Sequence, residues 1–207
     1  MIAIVDYGLG NVCAFENIYK RLNIQARIAS TPQDLRLAEK IILPGVGAFD
    51  WAMKRLNESG LRDTLDEMVL DVGKCVLGIC VGMQIMANRS DEGQLDGLGW
   101  IKGEVKKFDV SKSLQRIPLP HMGWNDVQPK GNSTLFNKLD TGARFYFLHS
   151  YYFVPHAQEH VLAETDYNGL YASSVGRGNV LGVQFHPEKS HQWGIQLLKN
   201  FAEIELC

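Results

Sequence analysis

The residue of this chain best suited to carry out a reaction is a cysteine between two glycines, in Gly78-Ile79-Cys80-Val81-Gly82. The apolar run 75–79 predicts a buried strand before the cysteine, and Met83-Gln84-Ile85-Met86-Ala87 predicts a helix after it. Such a strand–turn–helix elbow presents a nucleophile, because glycines permit the strained turn and a helix N-terminus favours the thiolate. The ordinary alternative is a buried cysteine at the end of a core strand. The flanking glycines favour the nucleophile.

A nucleophilic cysteine needs a base, and one of the six histidines is well placed to serve. His186 closes the apolar strand predicted for 180–185, and Glu188 follows it two residues later. Residues two apart in an extended chain share a face, so the carboxylate can orient the imidazole and stabilise its protonated form. Taken alone, this segment would be a surface turn. Together with the elbow, it predicts a Cys–His–Glu triad.

Acyl transfer also needs hydrogen-bond donors for the developing oxyanion. The N–H of Val81, directly after the nucleophile, is the usual first donor in an elbow. The segment Pro44-Gly45-Val46-Gly47 follows another predicted strand and offers further N–H groups at the edge where the carboxyl ends of parallel strands converge. The alternative for this segment is a plain turn after a strand. No phosphate-binding or dinucleotide-binding glycine pattern is present.

The first half of the chain alternates between strands and helices. Strands are predicted at 2–5, 24–29, 41–43 and 75–79, and helices at 11–22, from Thr31 onward, and at 49–70 with a break near Ser59-Gly60. This alternation predicts an α/β fold, in which a mostly parallel sheet carries helices on both faces.

The second half of the chain has a different sequence pattern, which predicts short strands separated by turns. Strands are predicted at 100–108, 144–154, 161–165, 171–175 and 180–185, and a final helix at 194–203. Hairpin turns such as Asn168-Gly169 indicate an antiparallel or mixed extension of the sheet. We expect a single domain over residues 1–207.

Composition and charge exclude several classes of protein. The 207 residues are 45% hydrophobic and 21% charged, as in an ordinary globular protein, and a net charge of −2 gives no reason to expect nucleic acid or an anionic membrane. The four cysteines have neither metal-site spacing nor a dense disulfide framework, and no run resembles a signal or transmembrane segment. A cytoplasmic protein with reduced thiols and no metal or cofactor is expected.

Three motifs together resemble those of the class I (triad) glutamine amidotransferases: Pro44-Gly45-Val46-Gly47, Gly78-Ile79-Cys80-Val81-Gly82-Met83-Gln84 and Gln184-Phe185-His186-Pro187-Glu188. Four other segments are similar to the glutaminase subunits of imidazole glycerol phosphate synthase. They are Asp6-Tyr7-Gly8-Leu9-Gly10-Asn11, His121-Met122-Gly123-Trp124-Asn125, Tyr146-Phe147-Leu148-His149-Ser150-Tyr151-Tyr152 and Glu188-Lys189-Ser190. The resemblance spans essentially the whole chain, and it implies a flavodoxin-like domain.

The resemblance implies a role for each motif residue. Cys80 would attack the carboxamide of glutamine to form a glutamyl thioester, His186 would protonate the leaving ammonia and then activate water, and Glu188 would orient His186. The oxyanion site is implied at Gly45, Val46 and Val81. Residues implied to contact glutamine or to shape its pocket are Gly47, Gln84, Glu92, Ser150 and Tyr151, with Gln84 and Glu92 at the α-amino end.

A partner is also implied by the resemblance. The ammonia would pass through a tunnel to a (β/α)₈ cyclase subunit, which forms a heterodimer with this chain and makes imidazole glycerol phosphate and AICAR in histidine biosynthesis. Residues similar to the partner-facing patch are His121, Trp124, Asn125, Tyr146 and Lys189. An aromatic patch with few charges suits an interface, although 146–153 also fits a half-buried strand.

Two other functions stay open at this point. Val12-Cys13-Ala14-Phe15 departs from the small residues usual in the histidine-pathway family. The stretches 119–121 and 189–194 resemble a paralogous branch that supplies ammonia for sugar amidination in surface-polysaccharide biosynthesis. Cysteine elbows also occur in α/β peptidases, deglycases and redox sensors, but those proteins do not need the His-Pro-Glu pair together with the Trp124 and Tyr146 segments.

Overall fold

The computed structural model describes residues 1–109, 118–140 and 142–205. In these ranges the strands are β1 (Ile2–Val5), β2 (Ala26–Ala29), β3 (Lys40–Gly45), β4 (Cys75–Cys80), β5 (Arg89–Ser90), β6 (Gly103–Lys107), β7 (His121–Asp126), β8 (Gln128–Pro129), β9 (Arg144–His149), β10 (Tyr151–Pro155), β11 (Val161–Asp166), β12 (Leu170–Arg177) and β13 (Val180–Val183). The helices are α1 (Val12–Arg21), α2 (Pro32–Arg36), α3 (Phe49–Glu58), α4 (Arg62–Asp66), α5 (Val81–Gln84) and α6 (His191–Glu203). A π-helical turn, Glu67–Asp71, continues α4.

Eleven of the described strands form one mixed sheet. Its main path runs β2-β1-β3-β4-β13-β12-β10-β6-β5, with β11 paired to β12 and β8 paired to β11. The first five strands on this path are parallel to one another, and β12 and β10 extend the sheet in antiparallel fashion. The predicted α/β fold, with a parallel core and an antiparallel extension, is therefore confirmed.

The sequence explains why the parallel strands lie at the centre. Every residue of β1 and of β4 is buried, so these short apolar runs are covered on both faces of the sheet. Amphipathic helices supply the cover: α1 buries Phe15 and Tyr19, and α6 buries Leu197, Leu198 and Phe201. The connections between parallel strands bring the carboxyl ends of β3, β4 and β13 to one edge.

A separate two-stranded sheet pairs β7 with β9 in antiparallel register, with His121 opposite His149 and Trp124 opposite Tyr146. The prediction of one strand over 144–154 is wrong. The chain leaves the small sheet after His149 and enters the main sheet at Tyr151, where β10 pairs with β6. Ser150 is the junction, and the carbonyl oxygen of this residue accepts a hydrogen bond from the N–H of Phe108.

The helix after the elbow is also shorter than predicted, since α5 ends at Gln84. Long-range partners explain the difference. The carbonyl groups of Ile85, Met86 and Ala87 accept hydrogen bonds from the N–H groups of Leu98, Ile101 and Gly99, respectively, and are therefore not used to continue a helix. The same loop occupies the start of the strand predicted at 100–108, which begins only at Gly103.

The described cysteines are not all alike. Cys13 and Cys80 carry free thiols, whereas Cys75 is disulfide-bonded, so the expectation of reduced thiols is wrong at that position. Cys207 lies outside the described residues, and the single domain over 1–207 stays a prediction. None of the described helices has the length and apolarity needed to cross a membrane.

Candidate active site

The nucleophile elbow forms where β4 meets α5. Cys80 ends β4 with φ 54° and ψ −112°, a left-handed conformation that is uncommon for a residue with a side chain. The turn is possible because Gly82 has no side chain: a Cβ there would overlap the carbonyl oxygen of Leu43 on the neighbouring strand. The strain and the close packing hold Cys80 at the carboxyl edge of the sheet, where only 3% of its surface is exposed.

His186 and Glu188 meet beside this elbow. The imidazole Nδ1 of His186 lies 2.9 Å from Oε1 of Glu188, and both side chains are 4% exposed. Glu188 reaches His186 from a short 3₁₀ turn, Pro187–Lys189, and not from an extended strand as the two-residue spacing had suggested. Because Nδ1 is engaged by the carboxylate, Nε2 is the nitrogen left to face the cysteine.

Backbone contacts fix the position of His186. Its N–H donates to the carbonyl oxygen of Tyr146 at 2.8 Å, and its own carbonyl oxygen accepts from Oγ of Ser190 at 2.6 Å. Ser190 Oγ in turn accepts from the N–H of Tyr146 at 3.0 Å. These three hydrogen bonds join the segment of His186 and Ser190 to β9 of the small sheet.

The charge on His186 is set by its neighbours. Burial by itself lowers the pKa of the imidazole, but hydrogen bonds to Cys80 and Glu188, together with the charges of both groups, raise the pKa above its ordinary value. A raised pKa keeps the proton on the imidazole at neutral pH. That proton is the one a leaving amine would need.

The segment predicted to hold the oxyanion lies directly against the elbow. β3 and β4 are parallel neighbours that pair Gly45 with Cys80, so Val46 follows at the point where the cysteine leaves the sheet. A Cβ on Gly45 would overlap the amide nitrogen of Gly82. The buried hydroxyl of Tyr7 donates to the carbonyl oxygen of Pro44 at 2.7 Å and so ties this segment to the turn after β1.

A cleft of about 310 Å³ opens above the cysteine. Ten of the residues singled out in the sequence line it: Val46, Gly47, Cys80, Val81, Gln84, Glu92, Ser150, Tyr151, His186 and Lys189. Glu188 supports His186 from behind. The described residues contain no group of His, Cys, Asp or Glu side chains that could hold a metal ion.

Hydrogen bonds within the protein hold the side chains of Glu92 and Gln84, the two residues expected at the α-amino end of glutamine. Oε2 of Glu92 accepts a hydrogen bond at 2.8 Å from the N–H of Phe49, the first residue of α3. Nε2 of Gln84 donates to the carbonyl oxygen of Tyr151 at 2.9 Å and to Oε1 of Gln184 at 3.0 Å. Both side chains are therefore oriented before any substrate arrives.

Sequence reasoning missed several residues of the site. Gln184 Nε2 lies 3.7 Å from Sγ of Cys80, and Pro120, Leu148 and His149 line the cleft. Gln184 belongs to the same motif as His186, which was the available signal. Tyr7 lies in a segment that carries the family resemblance, but no local pattern predicted its contact with Pro44, which lies 37 positions away in the chain.

The residues expected to face a partner lie in and around the small sheet. Trp124 is 37% exposed and stacks on the ring of His191, and Nζ of Lys189 lies 5.7 Å from the ring of Tyr146. Asn125 is half-buried. His121 is only 3% exposed, so this side chain lies behind the patch and not on it.

Fold and site together define a class of protein: an α/β domain with a cysteine, a histidine and a glutamate gathered where parallel strands end. A family model described as glutamine amidotransferase class-I matches residues 4–204. The chain is 57% identical over 204 residues to the imidazole glycerol phosphate synthase subunit HisH of Bdellovibrio bacteriovorus, covering 99% of this chain and 100% of that protein. It is 44% identical over 204 residues to the imidazole glycerol phosphate synthase subunit HisH 2 of Pseudomonas aeruginosa, with the same coverage.

The chain therefore belongs to the class-I glutamine amidotransferase family and, within it, to the HisH subunits of imidazole glycerol phosphate synthase. A solved structure described as a glutamine amidotransferase shares the fold, with a TM-score of 0.73 at 20% identity over 99% of this chain and 100% of that one. The family resemblance carried by the motifs is confirmed.

Proposed function

We propose that this chain hydrolyses L-glutamine to glutamate and ammonia and supplies the ammonia to the cyclase subunit of an imidazole glycerol phosphate synthase. The observation that carries the proposal is the arrangement of three residues. A strained elbow presents Cys80, and beside it the buried imidazole of His186 is held by the buried carboxylate of Glu188. This arrangement suits a nucleophile with a base and an orienting group.

Each residue then has a defined step. The thiolate of Cys80 attacks the side-chain carbonyl carbon of glutamine, and the electron pair moves to the oxygen. His186 donates its proton to the nitrogen as the C–N bond breaks, so ammonia leaves and a glutamyl thioester remains. Neutral His186 then takes a proton from water, the water oxygen attacks the thioester, and glutamate leaves as the thiolate re-forms.

The cleft offers suitable groups at both ends of glutamine. Glu92 presents a carboxylate to the α-ammonium group; one oxygen already caps α3, and the second would accept from the substrate. Ser150 and Tyr151 border the opposite side, at the junction between the two sheets. We place the oxyanion at the N–H groups of Val46 and Val81, with Gly45 and Gly47 allowing that loop to reorient.

Ammonia released into water would be protonated and lose its nucleophilic lone pair, so a partner must receive it directly. We propose that the partner is a (β/α)₈ cyclase subunit that forms a heterodimer with this chain in the cytoplasm. The small-sheet patch, defined as Met122, Trp124, Tyr146 and Leu148, fits such a partner. Three of these residues are large exposed apolar side chains: Met122 at 66%, Trp124 at 37% and Leu148 at 39%.

Glutamate release from L-glutamine tests the proposal. The purified chain is assayed alone and with the cyclase subunit from the same genome. We expect Cys80→Ala to lower the rate by about 10³-fold or more, while binding to the cyclase subunit is retained. Cys13→Ala is the matched control, because this variant removes the exposed free thiol of α1. Wild-type activity in Cys80→Ala would refute the assignment.

A second candidate acceptor for the ammonia comes from the sequence, because the stretches 119–121 and 189–194 resemble a paralogous branch of the family. A paralogue that supplies ammonia for sugar amidination would keep the same glutaminase chemistry. Reconstitution with the cyclase subunit separates the two: formation of imidazole glycerol phosphate from glutamine supports the histidine pathway, and its absence despite glutamate release supports the other acceptor. Peptidase or deglycase activity without glutamate release would support neither.

A further inference from the structure

Outside the triad, three buried polar residues form a hydrogen-bonded chain. The hydroxyl of Tyr171 lies 3.2 Å from Nδ1 of His121 and 3.2 Å from Nε2 of His149. The exposed fractions of these residues are 4%, 3% and 6%, respectively. The ring of His121 is held between Phe147 and Tyr167, with centroids 4.7 and 3.8 Å away. Buried polar groups in such a tight setting adopt one arrangement.

Both ends of this chain are anchored, and the anchors determine its direction. The amide of Asn125 is oriented by backbone groups: Oδ1 accepts from the N–H of Asp126 at 2.8 Å, and Nδ2 donates to the carbonyl oxygen of Asp166 at 2.9 Å. Nδ2 also lies 3.3 Å from Nε2 of His121, so that nitrogen must accept. At the other end, Nδ1 of His149 lies 2.8 Å from the carbonyl oxygen of Tyr151 and must donate.

A single assignment of protons satisfies every contact. His121 accepts at Nε2 and donates from Nδ1 to the oxygen of Tyr171, which donates to Nε2 of His149. Burial lowers the pKa of His121 to about 4. Burial, with a smaller effect of the neighbouring histidines, lowers the pKa of His149 to about 3. Both imidazoles therefore stay neutral near pH 7 and keep the acceptor nitrogen that this chain requires.

The hydrogen-bonded chain ends at the wall of the cleft. The carbonyl oxygen of Tyr151 that accepts from His149 also accepts from Nε2 of Gln84, and Gln84 contacts Gln184, whose Nε2 lies 3.7 Å from Sγ of Cys80. Buried hydrogen bonds thus connect His121 on β7 to the sulfur of the nucleophile. Tyr171 and His121 do not line the cleft themselves.

We propose that Tyr171 and His121, acting through His149, are positioning residues for glutamine, which hold the peptide of Ser150 and Tyr151 and the amide of Gln84 in the geometry that binds the substrate. This inference rests on the proposed glutaminase function. Removing the Tyr171 hydroxyl leaves an acceptor on His149 and a donor on His121 without partners in a buried site. His149 then keeps only its hydrogen bond to the Tyr151 carbonyl, so the orientation of its ring, and with it the position of that carbonyl, is less tightly fixed.

The test compares Tyr171→Phe with wild type in the complex with the cyclase subunit, by glutamate release over a range of glutamine concentrations. We expect KM for glutamine to rise by about 5- to 20-fold, the effect of losing one to two buried hydrogen bonds, with kcat within about 3-fold of wild type. Tyr19→Phe is the matched control. This variant also removes a buried tyrosine hydroxyl, one that donates to the carbonyl oxygen of Leu198 at 3.1 Å, between α1 and α6.

A merely structural role would lower the melting temperature of both variants and leave both KM values unchanged; that result, or a fall in kcat at constant KM, overturns the inference. If Tyr171→Phe does not fold, His121→Phe carries the test, since this variant keeps the stacked ring but removes the donor to Tyr171. We expect a KM rise of at least about 3-fold for it, and an unchanged KM overturns the inference. A wild-type complex that releases no glutamate overturns the proposed function, whereas wild-type glutamate release with unchanged KM in the variants overturns this inference alone.

Discussion

At the scale of single residues, the proposed chemistry depends most on the imidazole of His186. It has a carboxylate on one side and a thiol on the other, and their combined effect on its pKa exceeds the opposing effect of burial. A proton held on the imidazole at neutral pH is available to the leaving nitrogen of the substrate. Glu188 therefore acts through charge as well as orientation.

We expect Glu188→Gln to lower kcat for glutamine hydrolysis by about 10²- to 10⁴-fold, the usual effect of losing the orienting member of a triad. KM should stay within about 3-fold, because Glu188 stands behind His186 and does not line the cleft. The pKa of His186 should fall in this variant, which a pH titration of the imidazole by NMR would detect.

The matched control for this change is Glu159→Gln, which alters an exposed glutamate in the 3₁₀ turn Gln158–His160. It should keep wild-type kcat and KM. An unchanged rate in Glu188→Gln, measured in the complex with the cyclase subunit, would rule out the assigned role.

At the scale of elements, the site depends on how closely β3 approaches the β4–α5 elbow. The two strands pair through Gly45 and Cys80, and the backbone of Gly82 lies against the carbonyl group of Leu43. No side chain fits between them. The elbow and the oxyanion segment are therefore one packed unit, and a change in either should affect both.

Gly82→Ala should destabilise the protein by about 1–3 kcal/mol, because the new methyl group would overlap backbone and force β3 away from the elbow. The same shift should lower kcat by moving Val46. Urea unfolding measures the first effect and glutamate release the second. Gly142→Ala is the control: a Cβ there meets nothing within 4 Å, so we expect a change of no more than about 0.5 kcal/mol. Equal stability of the two variants would contradict the close-packing argument.

At the scale of the whole molecule, the buried histidines make stability depend on pH. Burial, reinforced by His121 and His186 and opposed by the hydrogen bond to Tyr151, lowers the pKa of His149 to about 3 in the folded state. The unfolded chain binds this proton near pH 6.5, so stability is lost as the pH falls from about 6.5 toward the folded-state value. His186 has the opposite shift, and its contribution changes above pH 6.5, outside this window.

We expect the free energy of unfolding to fall by about 2 kcal/mol between pH 6.5 and pH 5 through His149 alone. Urea titrations at several pH values would measure this loss. His149→Asn, which does not titrate, should remove about half of the slope in that window, because burial also lowers the pKa of His121, to about 4. His156→Asn, which replaces an exposed imidazole, should keep the wild-type slope. A wild-type slope in His149→Asn would show that the imidazole is not held neutral by burial.

The small-sheet patch is the whole-molecule feature that fits a partner subunit. We expect Trp124→Ala to raise the Kd for the cyclase subunit by about 10- to 100-fold, because large aromatic side chains often dominate an interface. Calorimetry on the purified subunits would measure the change. Leu37→Ala is the control, since Leu37 is 65% exposed just after α2, at the opposite edge of the parallel strands. An equal Kd for wild type and Trp124→Ala would place the partner elsewhere.

The sequence by itself predicted which residues carry the proposed chemistry, because Cys80, His186 and Glu188 lie in short motifs beside glycines and a proline that restrict the local backbone. It also determined the parallel core, since apolar runs alternating with amphipathic helices have few ways to pack. Only the tertiary structure decided that the chain changes sheets at Ser150, that α5 stops at Gln84 and that His121 is buried. These features depend on pairings between segments far apart in the chain, such as β10 with β6 and Tyr171 with His121. A local sequence pattern predicts a strand or a helix, but it does not predict which distant segment that element will contact.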